Sequence, residues 1–74
     1  MNKKGIYKIT NPNNLIYIGY SNDLKRRENN YKLLKVKNQK KIYDSIIEFG
    51  WDYHKFEIIE YTDDLISREK YYIE

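Results

Sequence analysis

The sequence predicts an α+β domain: a small three-stranded antiparallel sheet flanked by helices, in the order β-β-α-α-β-α. Three observations carry this. Two short β-branched and aromatic runs near the start are separated by a turn signal, which marks a hairpin. Two stretches in the middle and one at the end repeat their apolar residues with helical period. A further apolar run, KFEIIEY, stands between the last two of these stretches and reads as a third strand. Helices packed against one small sheet follow from that order, and 74 residues allow one domain at most, spanning 1–74.

The elements are justified in turn. Residues 5–10 (GIYKIT) and 15–19 (LIYIG) form the hairpin, joined by Asn11-Pro12-Asn13-Asn14. Pro12 fixes φ near a turn value, and asparagine tolerates the left-handed region. Ser21-Asn22-Asp23 offers N-cap chemistry for a helix from about 22 to 34. Leu24, Arg27 and Tyr31 share one face of it, while Lys25, Arg26, Lys32 and Lys35 lie elsewhere. A second helix runs from about 39 to 49, with Ile42, Tyr43, Ile46, Ile47 and Phe49 as its apolar stripe and Gly50 as a left-handed stop. The third strand covers 55–61. Thr62 can cap the last helix, with Asp63 and Asp64 favourable against its dipole. That helix reaches the end of the chain with no capping residue, as expected of a segment of a longer protein.

Composition narrows the function classes. A chain this short buries only about 60% of the surface it exposes when unfolded, so almost every apolar residue is needed in the core. There is no cysteine, which removes disulfides and zinc–thiolate sites. No apolar run approaches the roughly 20 residues that span a bilayer, and no signal-peptide pattern opens the chain. The expectation is an intracellular protein, cytoplasmic or nucleoid-associated, with no membrane partner.

Charge is divided along the chain. Residues 1–41 carry a balance of +9 and residues 42–74 one of −6, for the net +3. A cationic half attracts a polyanion such as nucleic acid; alternatively the two halves are solvated faces that confer solubility. Nine tyrosines suit either a small core or a nucleic-acid surface, and an AT-rich genome would also encode such an excess.

Three polar features sit where apolar ones are expected. On the last helix Leu65, Ile66, Glu69, Tyr72 and Ile73 make one stripe, with a carboxylate in its middle. An inward carboxylate is costly unless paired or metal-bound. Glu69 is therefore either one half of an ion pair with Arg27 or a hard-oxygen ligand for Mg²⁺. Arg27, on its own helix's inward stripe, either completes that pair or clamps a phosphate. In the hairpin, an odd number of unpaired turn residues places Tyr7 and Tyr17 on one face with Ile9 and Leu15; an even number separates the tyrosines. Gly5 and Gly19 flank this sheet and leave room for a ligand to approach the backbone.

These residues resemble the GIY-YIG nuclease domain. Gly5-Ile6-Tyr7 and Tyr17-Ile18-Gly19 are its two name-giving tripeptides, with nine residues between the tyrosines. Arg27 stands eight residues after Gly19, the place of the family's essential arginine. Phe49-Gly50-Trp51 with Phe56-Glu57-Ile58-Ile59-Glu60 looks like the middle section. Ser67-Arg68-Glu69 with Tyr71-Tyr72-Ile73 looks like the final helix, which carries a metal-binding glutamate. Essentially the whole chain is covered.

The resemblance implies metal-dependent hydrolysis of DNA phosphodiester bonds to a 5′-phosphate and a 3′-hydroxyl, one strand per active site, with one Mg²⁺ or Mn²⁺ ion. It implies Tyr7 as general base, Tyr17 as a hydrogen-bonding partner of the phosphate or water, Arg27 as stabiliser of phosphate charge, and Glu69 as the metal ligand. Tyr7 then needs a pKa about three units below the usual 10, or help from a bound cation. Many members have a histidine one turn after the arginine; here that place is Tyr31, which joins the catalytic candidates. His54, the only histidine, is read as packing or solvated. Lys32, Lys35, Lys37, Lys40 and Lys41 are expected to contact DNA phosphates. A homodimer or an additional DNA-binding domain in the parent protein would supply specificity. The alternatives are a DNA-holding module of the same fold without catalysis, or the catalytic piece of a larger repair, homing or restriction nuclease.

Overall fold

The computed structural model describes residues 3–73. Strands β1 (Gly5–Thr10) and β2 (Ile16–Ser21) form the hairpin. Helices α1 (Leu24–Lys32) and α2 (Lys40–Phe49) follow, then a single 3₁₀ turn (Trp51–Tyr53), β3 (Lys55–Tyr61) and α3 (Leu65–Ile73). The order is the expected β-β-α-α-β-α. The sheet is antiparallel throughout, with strand order β2-β1-β3, so β1 is central and β2 is an edge. Among the described residues no helix is long and apolar enough to cross a membrane.

Asn11 organises the hairpin loop. Its side-chain oxygen accepts from the backbone N–H groups of Asn13 and Leu15, each at 2.9 Å. Its main chain binds Leu15 and Asn14, and Asn14 takes φ 66°. Satisfying these groups locally lets Asn11 be buried. Its amide nitrogen also reaches Ser45 of α2 at 3.3 Å. The resulting register pairs Tyr7 with Gly19 and Ile9 with Tyr17. The two tyrosines are thus diagonal neighbours on one face. Leu15 departs from expectation: it is exposed, because the inward position at this end of the hairpin belongs to Asn11.

On that face Tyr7 and Ile9 join Leu24, Tyr31, Val36, Ile42 and Ile46 in the core. Ile6, fully buried, points to the other face by strand alternation. Asp23 caps α1 by accepting from Arg26 N–H at 3.1 Å, which starts the helix two residues later than expected. In α2 the buried stripe is Ile42, Ser45 and Ile46, while Ile47 is exposed. Gly50, at φ 88°, ends α2.

The last helix also departs from its hydropathy pattern. Ile66 and Ile73 are exposed; Leu65, Arg68, Glu69 and Tyr72 are half-buried. The cause is Glu60 on β3. Arg68 grips its carboxylate with Nε and Nη2 at 2.7–3.0 Å, and the Tyr72 hydroxyl donates to it at 2.8 Å. Paired, charge-assisted bonds of this kind outweigh two exposed isoleucines and set the helix rotation. Thr62 does not cap α3 directly: it accepts from Asp64 N–H, and Asp64 accepts from Arg68 N–H, so residue 64 holds the cap position.

Candidate active site

Tyr7 is held on the central strand and is buried. Its ring stacks on Phe56 at 5.0 Å between centroids and meets Tyr31 edge-on at 5.9 Å. Tyr31 in turn stacks on Trp51, and Trp51 on His54. His54 is packing, as expected: its two ring nitrogens bond Ser45 and the carbonyl of Gly50, each at 2.8 Å. The Tyr7 ring also lies across Gly19. A Cβ at position 19 would sit 2.5 Å from the Tyr7 hydroxyl. The space at Gly19 is therefore filled by Tyr7 rather than kept for a ligand. At Gly5 the Glu60 carbonyl fills it in the same way.

The predicted residues converge. A hollow of about 260 Å³ is lined by Tyr7, Ile18, Gly19, Tyr20, Arg27, Gln39 and Glu69. A second, of about 310 Å³, is lined by Tyr7, Tyr17, Ile18, Tyr31, Gln39, Lys40, Lys41 and Ile42. The two share Tyr7, Ile18 and Gln39. A larger groove of about 630 Å³ runs beside Lys25, Arg26, Phe56 and Ile58 and contains none of the candidate catalytic residues. The candidate catalytic residues lie in the smaller pair, and in the first of these a phenol, a guanidinium and a carboxylate line one hollow.

Arg27 and Glu69 line one hollow, yet among the described residues neither enters a side-chain hydrogen bond or ion pair. The Arg27–Glu69 salt bridge considered from the sequence does not form. Both charges face open space. Of the five lysines, Lys40 and Lys41 border the site, and Lys40 also pairs with Asp44 at 3.1 Å. Lys32, Lys35 and Lys37 are exposed and line neither hollow.

Burial pushes the Tyr7 phenol far above its ordinary value of 10.0, and Tyr31 adds to this by charge and hydrogen bonding. Arg27 pulls it down and Glu69 pushes it up. This runs opposite to the lowering expected of a general base. The physical reason is the close-packed ring environment, which disfavours a phenolate.

Gln39 escaped the sequence analysis. It accepts the Tyr31 hydroxyl proton at 2.7 Å, and Tyr31 lies 2.5 Å from the Tyr7 hydroxyl. Nothing in its local sequence signals this role, since a glutamine before a helix ordinarily reads as a weak cap. Phe56 and Trp51, which wall the two tyrosines, were visible only as aromatic residues.

The donor set fits one hard cation. Among the described residues no group of three or more His, Cys, Asp or Glu side chains gathers. Glu69 supplies a single half-buried carboxylate, unpaired among the described residues. Mg²⁺ is commonly held in this way, by one or two carboxylates with waters and substrate phosphate completing the shell.

Comparison with known proteins agrees with the geometry. The family model described as the GIY-YIG catalytic domain matches residues 3–74. No curated protein and no solved structure matches the chain.

Proposed function

The chain belongs to the GIY-YIG catalytic-domain family, a family of nucleases, and on that premise we propose that it is a Mg²⁺- or Mn²⁺-dependent endonuclease that cuts one DNA strand per active site. The observation that carries this is the convergence of Tyr7, Arg27 and Glu69, from three different elements, on one hollow, with both charges unpaired among the described residues. Half-buried charges without partners do not add to stability, so packing gives no reason for them here.

The chain's own groups divide the work of phosphodiester hydrolysis. Arg27 bonds the non-bridging oxygens and offsets the charge that develops there. Tyr17 and Lys41, on the rim, hold the flanking backbone. Tyr7 orients the attacking water by accepting a hydrogen bond from it at the phenol oxygen. Glu69 would hold the cation, which when bound would supply neutralisation of the phosphate charge. Water attacks phosphorus, the bond to the 3′ oxygen breaks, the water's proton passes to solvent, and the 3′ oxygen takes one from solvent. The products are a 5′-phosphate and a 3′-hydroxyl.

The raised Tyr7 phenol, taken alone, favours a second reading: a module that holds DNA without cutting it. Incubation of supercoiled plasmid with Mg²⁺, beside Glu69→Ala, separates the two. Nicking by the wild type alone supports the nuclease. Salt-sensitive binding with no nicking by either protein selects the module.

A further inference from the structure

The hydroxyl chain at the site has a direction, and Gln39 sets it. The Tyr31 hydroxyl carries one hydrogen. It donates that hydrogen to Oε1 of Gln39, a carbonyl-type oxygen that can only accept. The contact between the Tyr7 and Tyr31 hydroxyls must then use the Tyr7 hydrogen. Tyr7 donates, Tyr31 relays, and Gln39 ends the chain. The hydrogen of Tyr7 is thereby committed to Tyr31, and what Tyr7 can offer the hollow is a lone pair.

Gln39 is well placed to impose this order. Its backbone N–H bonds Val36 and its carbonyl receives Tyr43 N–H, so both flanks are fixed. It holds the N-cap position of α2 yet makes no side-chain capping bond. Its carboxamide is left for Tyr31, and it lines both hollows. Tyr31 is 1% exposed, so no bulk water competes for its hydrogen.

We infer that Gln39 is a positioning residue for the nuclease reaction: it orients the Tyr31 hydroxyl so that Tyr7 meets the attacking water as an acceptor. Without the Gln39 oxygen, Tyr31 can turn its hydrogen toward Tyr7, and Tyr7 would present a donor to the water. The inference rests on the nuclease reading proposed above.

A double-mutant cycle tests it. In the full chain with saturating Mg²⁺, Gln39→Met and Tyr31→Phe are each expected to lower kcat for plasmid nicking about tenfold, with KM within about twofold. The double variant is expected to lie within about twofold of Tyr31→Phe, because Gln39 acts only through Tyr31. Losses that multiply, or a higher KM at unchanged kcat for Gln39→Met, would overturn the inference and make Gln39 an independent phosphate contact. A second measurement needs no catalysis. In metal-free, DNA-free protein, NMR should show slowly exchanging hydroxyl protons for both Tyr7 and Tyr31, identified with Tyr7→Phe and Tyr31→Phe. Gln39→Met should release the Tyr7 proton to fast exchange, because the Tyr31 hydrogen then turns to Tyr7 and the Tyr7 hydrogen faces the hollow. Folded wild type without these protected protons would sink the inference. Protected protons in a protein that never nicks DNA would instead count against the nuclease reading alone.

Discussion

Gly19 stands directly opposite Tyr7 in the hairpin, and the Tyr7 phenol occupies the space a side chain at 19 would need. The two signature tripeptides are therefore one device: the last residue of the second is the seat of the last residue of the first. Gly19→Ala should keep the fold and displace the phenol. Nicking should fall by about 100-fold, as expected for misplacement of a reacting group by around 1 Å. The melting curve should show a loss of about 1–3 kcal/mol from overpacking. An active Gly19→Ala would contradict this geometry.

Arg27 and Glu69 should prove costly to catalysis and cheap to stability. Neither makes an ion pair or side-chain hydrogen bond among the described residues. Arg27→Ala is expected to lower kcat by about 10²- to 10³-fold. In metal-free buffer its stability should change by no more than about 0.5 kcal/mol. Glu69→Ala should abolish the stimulation by Mg²⁺ while melting in EDTA at the wild-type temperature. Chemical denaturation beside steady-state nicking provides the check.

Acid should loosen α3. Arg68 first, and Tyr72 second, hold the Glu60 carboxyl below its ordinary value of 4.5 by hydrogen bonding. A depressed carboxylate contributes stability that is present above the unfolded value and is lost as pH falls through the folded one. Thermal melts from pH 7 down to acid should show wild type and Glu60→Gln converging below about pH 4.5. A gap that persists unchanged would remove Glu60 as the anchor.

Alkali should act through Tyr7. Burial, then Tyr31, raises its phenol above 10.0. The sign is that of a group favouring its protonated form when folded, so its contribution is intact below pH 10 and fades as pH rises further. Wild type should lose stability above pH 10 more steeply than Tyr7→Phe. Equal slopes would mean that the phenol is better solvated than its packing implies.

The elements were legible because their signals are local. Alternation and turn chemistry mark β1 and β2, β3 falls where its β-branched run lies, and Tyr7, Tyr17, Arg27, Tyr31 and Glu69 all reach the two joined hollows. What the sequence concealed depends on partners in other elements. Hydropathy turns Ile66 and Ile73 of α3 inward, but Glu60 on β3 claims Arg68 and Tyr72 and rotates them out. Leu15 gives way to Asn11 for the same kind of reason. Gln39 was invisible because its role is defined by one hydroxyl eight residues earlier, not by any pattern around it.

The stack of rings behind the site has an optical consequence. Trp51 is the only tryptophan in the chain, and its indole lies parallel to Tyr31 with centroids 5.7 Å apart. The protein thus carries a built-in fluorophore one ring away from the hydroxyl chain. Its emission should respond to events at Tyr31 and Tyr7 without any attached label, and stopped-flow recording of that single signal can time substrate arrival separately from strand cleavage.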